Sequence, residues 1–172
     1  FDRDGYDFQN LHRNKRSITL NLKHERGRKI LGALVEGADV LVENFRPGVF
    51  EEWGLGYDRL RESNPGLVFA RVAGYGQTGT YQEKPGFSAL SETFGGLRHV
   101  VGFPDRPSRR VGISLGDSLA WMFVGRGMLM ALYNRDVNGG SDPVIDMALC
   151  EAGFAVLEAT LAEYDKTGYE RT

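Results

Sequence analysis

The chain has 172 residues, 41% of them hydrophobic, which is enough to bury the core of about one domain. Twenty-one basic and 23 acidic side chains leave a formal charge of -2, so no net field recruits nucleic acid or an anionic membrane surface. Cys150 is the only cysteine, which excludes an internal disulfide, no cysteine/histidine spacing suggests zinc, and a reducing, cytoplasmic setting is expected.

No apolar run approaches the roughly 18–20 residues that cross a bilayer, and "FDRDGYDFQN" at the start has no apolar signal region and no initiator methionine. The chain reads as a piece of something longer. "SITLNLK" alternates apolar and polar residues and predicts a strand over Ser17 to Leu22. Glu25 to Glu36 follows as a helix, with Ile30, Leu31, Leu34 and Val35 on one face and Gly37 at its end. "ADVLVENF" is a nearly continuous apolar strand, expected where both faces are covered, and Pro47-Gly48 turns the chain.

Residues 57–63 predict a short helix and "GLVFARVA" a third strand. A helix over Phe87 to Val101 would turn Phe87, Leu90, Phe94, Leu97 and Val101 inward. After the link "FPDRPSRRVG", Ser118 to Asn134 is an apolar helix, "NRDVNGGSDP" a turn, "VIDMA" a strand and Ala148 to Tyr164 the last helix. Alternating strands and helices predict an α/β fold with a Rossmann-like, mostly parallel sheet and flanking helices. Residues 1–135 are expected to form the main α/β part, and 136–172 a strand and helix leading away from it.

The loop "GYGQTG" spells a dinucleotide-binding pattern directly behind a strand. That pattern needs its last glycine to open a helix whose N-terminus holds the phosphates. Here "TYQEKPG" intervenes, so a helix starts only near Phe87, and Glu92, at the distance expected of a ribose-binding acid, falls inside that helix. No NAD is implied, and on spacing alone these glycines are a surface loop needing positive φ.

Five segments taken together resemble the class III CoA-transferases, the family of formyl-CoA transferase and carnitine CoA-transferase: "NKRSITLNLK", "GADVLVENFRPGVFEEWGLGYDRLRESNPGLVFARVAGYGQTG", "KPGFSALSETFGGL", "VGISLGDSLAWMFVGRGMLMAL" and "VIDMALCEA". They cover almost the whole chain. The resemblance implies part of that family's large domain and an acyl-CoA and a small carboxylic acid as substrates. It assigns the nucleophile to Asp117 in "ISLGDSLA". Attack on the donor thioester would give a mixed anhydride, and the released CoA thiolate would convert it to an aspartyl-CoA thioester. A helix start favours the ionised form of such an aspartate, although ordinary N-capping explains an aspartate there equally well, and Gly116 would let a bulky thioester approach.

The resemblance also implies CoA contacts from Leu20, Asn21, Leu22 and Lys23 and from Asn44, Phe45 and Arg46. Lys23 and Arg46 suit phosphate oxygens and Phe45 the adenine or pantetheine, with a solvated strand end, a carbonyl cap and a core position as their ordinary alternatives. The run His12 to Arg16 can reach a phosphate or be plain solvated charge. Gly74 and Gly76 are expected to bring backbone close to the substrate. Phe87 and Ser88 stand where formyl-CoA transferase-like members carry a tyrosine and an acid, which points away from their small-acid specificity and toward a dicarboxylate or other acceptor, and Glu52 stands where they carry an arginine facing CoA, so that phosphate contact is not expected here. Relatives form interlocked homodimers, with a preceding strand–loop–helix and a following second domain, so the covered chain is expected to be inactive alone. Two other readings stay open: a racemase of 2-methylacyl-CoA thioesters using His99 with Asp117, and a silent CoA-binding or assembly module.

Overall fold

The structure, a computed structural model, describes residues 5–103, 105–140 and 143–171. Pro104 of the predicted link and Ser141 and Asp142 of the predicted turn lie outside these residues. Three strands, β1 (Val40–Glu43), β2 (Val68–Ala73) and β3 (Val144–Ala148), form one sheet in that order, and both pairings are parallel. The expected parallel α/β architecture is therefore present. All six residues of β2 are buried, as a central strand covered on both faces must be.

Successive side chains of β2 point to opposite faces and build two separate cores. Phe69 joins Leu67, Val35, Phe50, Leu55 and Leu60 on one side. Ala70 and Val72 join Ala120, Val124, Leu149 and Ala152 on the other. The first core is closed by α2 (Glu25–Val35), α3 (Val49–Glu52) and α4 (Tyr57–Ser63). Asn64, just past α4, donates its side-chain amide to the carbonyls of Val35 and Ala38, both at 2.8 Å, and so satisfies the open end of α2.

The second core belongs to α6 (Leu115–Asn138), packed with α5 (Ser88–Phe94) and α7 (Leu149–Ala155). Gly116, Ala120 and Val124 recur every fourth residue and form the buried stripe of α6. At its far end Arg135 donates to the Gly66 carbonyl at 2.9 Å and to Asp39 at 3.0 Å, which fixes α6 against the starts of the strands.

Several sequence expectations need correction. Ser17 to Leu22 forms no strand, because a period-2 pattern makes a ladder only where a neighbouring strand accepts it, and Ile18 is exposed. The helix predicted over Phe87 to Val101 stops at Phe94, where Gly95 and the positive-φ Gly96 end it. Phe87, Phe94 and Val101 are exposed and only Leu97 of that set is fully buried. The last helix divides into α7 and α8 (Thr160–Thr167), with Glu158 at φ 55° between them. The long helix α6 runs beyond Asn134 into the predicted turn, and α1 (Tyr6–Leu11) occupies the polar lead.

Ser91 sits where α5, α6 and α7 converge, and this convergence needs glycine. A Cβ on Gly116 would lie 2.4 Å from Ser91 Cβ and 2.8 Å from the Ser88 carbonyl oxygen, and one on Gly153 would lie 2.4 Å from the Ser91 carbonyl oxygen. Gly125, nine residues along the same helix, has nothing within 4 Å of that position. Gly116 and Gly125 are thus expected to respond with opposite signs in chemical denaturation. Gly116→Ala should lose ~1–3 kcal/mol by overpacking, whereas Gly125→Ala should gain up to ~1 kcal/mol from helix propensity.

Candidate active site

All three parallel strands end at one edge of the sheet, the usual place for a ligand in such folds. A cleft of about 410 Å³ opens there. Asn44, Phe45, Arg46 and Pro47 form one wall directly after β1; Val72, Ala73 and Gly74 form the floor at the end of β2. Lys84 to Phe87 close another side, and Asp117, Trp121 and Leu149 complete it.

The wall after β1 is held by charge. Arg71, on β2, is register partner to Glu43 on β1, and its Nε donates to Glu43 Oε1 at 2.7 Å. The same guanidinium donates through Nη1 and Nη2 to Glu51 of α3, at 2.7 and 3.1 Å. Glu43 Oε2 in turn accepts the Phe45 N–H at 2.7 Å. One arginine therefore ties the residue before the loop to the helix after it. Burial opposes the charge on Glu51, but the Arg71 hydrogen bonds, a backbone hydrogen bond and the Arg71 charge together outweigh it, leaving that carboxyl below its ordinary pKa. Phe45 rests its ring against Phe50 and Trp53, with centroids 5.4 and 5.3 Å apart, yet stays 40% exposed toward the cleft. It is at once packed and available.

Opposite this wall stands Asp117, in the first turn of α6. Ser114 occupies the cap position, so Asp117 is not the capping residue. Its N–H donates to Ser88 Oγ at 3.3 Å. Burial pushes its carboxyl above the ordinary value, while a hydrogen bond from Ser88 and the charge of Arg110 pull the other way. Ser88 is thus a neutral partner to Asp117. Gly116 has no freedom to admit a substrate, because its bare Cα is spent on contact with Ser91.

The structure brings Asn44, Phe45, Arg46, Gly74 and Asp117 together around the cleft. Gly74 also touches Gly86 backbone to backbone, where a Cβ would lie 2.7 Å from the Gly86 Cα. Gly76 does not line the cleft: it takes φ +82° in the turn and faces the Asp146 carboxylate, which accepts the Gln77 N–H at 2.9 Å. Leu20, Asn21, Leu22 and Lys23 also lie outside the lining. Arg28 binds the carbonyls of Leu22 and Lys23 at 3.3 and 2.9 Å, and Gly27 leaves room for the Asn21 carbonyl, so this segment is fastened to the start of α2. Glu52 is exposed, and Glu51 beside it takes the arginine.

His99 is not brought to Asp117. Its Nε2 lies 3.1 Å from Glu170 Oε1, on a half-exposed surface outside the cleft. The residues that sequence reasoning passed over are Arg71 with Glu43 and Glu51, and Lys84 and Trp121 in the lining. A lone arginine inside "VFARVA" opposite the acid ending "VLVE" was the available signal for Arg71 and Glu43. Among the described residues no group of three or more His, Cys, Asp or Glu side chains is placed to hold a metal, and no helix is long and apolar enough to cross a membrane.

Comparison with known proteins places this geometry. The sequence model of CoA-transferase family III matches residues 2–172. Succinyl-CoA:D-citramalate CoA-transferase of Chloroflexus aurantiacus is 47% identical over 161 residues, which cover 94% of this chain and 40% of that protein. Formyl-CoA:oxalate CoA-transferase of Streptomyces avermitilis is 36% identical over 168 residues, 98% of this chain and 41% of that protein. A crystal structure of a CAIB/BAIF family protein from Brucella suis superimposes with a TM-score of 0.87 at 33% identity, covering 92% of this chain and 42% of its own. The chain spans about 40% of the length of the curated relatives it matches. With the parallel sheet, the cleft at its carboxyl edge and matches of this extent, the chain belongs to CoA-transferase family III.

Proposed function

We propose that the protein moves CoA from an acyl-CoA donor to a carboxylic acid through a covalent intermediate on Asp117. The observation that carries this reading is the position of Asp117 across one cleft from Asn44, Phe45 and Arg46. An Asp117 oxygen attacks the thioester carbonyl, the carbon–sulfur bond breaks, and CoA leaves as thiolate with an acyl-aspartyl anhydride behind. The thiolate then attacks the Asp117 carbonyl and expels the donor acid as its carboxylate. The acceptor acid runs the same steps in reverse.

In this reading Arg46 meets phosphate oxygens of CoA and Phe45 flanks its apolar arm. Relatives named for succinyl-CoA with citramalate or malate, and for formyl- or acetyl-CoA with oxalate, suggest a short dicarboxylic acid on at least one side of the exchange. Lys84, in the same cleft, suits a second carboxylate. The racemase alternative has no comparable support, since His99 lies outside the cleft with Glu170. An interlocked homodimer remains part of the proposal. It is supported by the exposed apolar side of α6, including Met122, Leu129, Met130 and Tyr133.

Incubation with succinyl-CoA followed by hydroxylamine should leave a hydroxamate on the Asp117 peptide by mass spectrometry, and none in Asp117→Ala. An unmodified Asp117 across several acyl-CoA donors, in a protein that binds CoA, would contradict the mechanism. A second expectation follows from the burial of this carboxyl. Because its folded-state pKa is raised, its contribution to stability is present below the ordinary aspartate range and is lost as pH rises through the raised value. Asp117→Asn cannot ionise, so its melting temperature relative to the wild type should climb as pH rises through that interval. A difference that stays flat with pH would show that burial does not raise the affinity of this carboxyl for its proton.

A further inference from the structure

The loop "GYGQTG" passes through Gly76 and Gly79, both at positive φ, and brings two tyrosines together. Tyr75 inside the loop and Tyr81 just after it have ring centroids 5.3 Å apart. Phe94, the last residue of α5, meets both of them edge-on, at 5.3 and 5.6 Å with the rings at 86° and 87°. Three mutual contacts of this kind fix the plane of the Tyr81 ring. Over that ring sits Lys84, whose Nζ lies 4.0 Å from the centroid, well inside the roughly 6 Å reach of a cation–π attraction. The backbone ties the same two residues, because the Lys84 N–H donates to the Tyr81 carbonyl at 2.9 Å and closes a tight turn.

Lys84 lines the cleft and Tyr81 does not, so the ring acts on the site only through the lysine. Among the described residues Lys84 forms no ion pair. A carboxylate partner would hold the ammonium but cancel its charge, whereas a ring face holds it and leaves the charge for a ligand. The two cations of the lining stand on different sides: Arg46 follows β1 beside Phe45, and Lys84 heads the segment that enters α5. The first residue of that helix, Ser88, accepts the Asp117 N–H, which puts the lysine segment on the side of the acyl group rather than of the CoA arm. We propose that Tyr81 is a positioning residue that holds the Lys84 ammonium at the cleft to receive the distal carboxylate of a dicarboxylic acyl-CoA. This rests on reading the cleft as the acyl-CoA site.

The test uses the full-length protein carrying Asp117→Ala, in which no acyl transfer to residue 117 can occur. Calorimetry compares the dissociation constants of succinyl-CoA and butyryl-CoA, whose acyl chains match in length and differ in the terminal carboxylate. This background should bind succinyl-CoA more tightly. Adding Tyr81→Leu should weaken succinyl-CoA by about two- to fivefold, the size of a partly exposed cation–π contact, and leave butyryl-CoA unchanged. Tyr81→Phe keeps the ring face and should keep the preference, while Lys84→Gln should abolish it. The proposal is overturned by the absence of any preference, by one that survives Lys84→Gln or Tyr81→Leu, or by a phenylalanine variant as weak as the leucine variant. A loss shared equally by both donors, as a CoA phosphate contact or a collapsed loop would give, overturns it too. Binding is read without turnover, so a failure here leaves the hydroxylamine result standing, and an unmodified Asp117 leaves the binding difference intact.

Discussion

A guanidinium in the middle of the central strand is the interaction on which the site depends. Every residue of β2 is buried, and a charge there is tolerable only when fully paired. Arg71 is paired twice, with Glu43 across the sheet and with Glu51 on α3. Removing Arg71 would generally cost about 3–5 kcal/mol, because Glu43 would be left buried without a charged partner. In this fold the arrangement does more than compensate charge. Glu43 and Glu51 bracket the turn that carries Asn44, Phe45 and Arg46, so the geometry of the cleft wall is set from inside the sheet.

The opposite wall is set by small residues. Gly116 and Gly153 allow α5, α6 and α7 to meet around Ser91, and the meeting point includes the residue before Asp117. The same approach places Ser88 against the first turn of α6 and buries Glu92. Two constraints of different kinds, ion pairing on one side and steric closeness on the other, therefore converge at the carboxyl edge of the sheet. A loop held by hydrogen bonds to charge and a helix start held by close packing both lose little order when a ligand binds, which favours preorganised recognition.

Much of this was readable in the residues. The apolar run "VIDMA" and the helix over 57–63 fall where periodicity puts them, and the unbroken apolar character of "GLVFARVA" announced a strand covered on both faces. The motifs around Asn44 to Arg46 and Asp117 drew together residues more than 70 positions apart that do share one cleft. Other features depend on partners that no local pattern names. Ser17 to Leu22 has the alternation of a strand and no neighbour to pair with, and the helix after Phe87 ends early because two consecutive glycines outweigh its apolar spacing. Glu92 reads as an ordinary helical acid until α6 and its leading segment cover it, and Gly116 reads as room for a ligand until Ser91 fills that room.

A crystal structure of the protein with a CoA thioester bound, its Asp117 replaced by alanine to hold the complex before acyl transfer, tests the central claim most directly. The account predicts that the CoA arm passes between Phe45 and Arg46 and that the thioester carbonyl lies over the position vacated by the Asp117 carboxylate. A thioester placed instead near His99, with the cleft at the strand ends free of CoA, would contradict it.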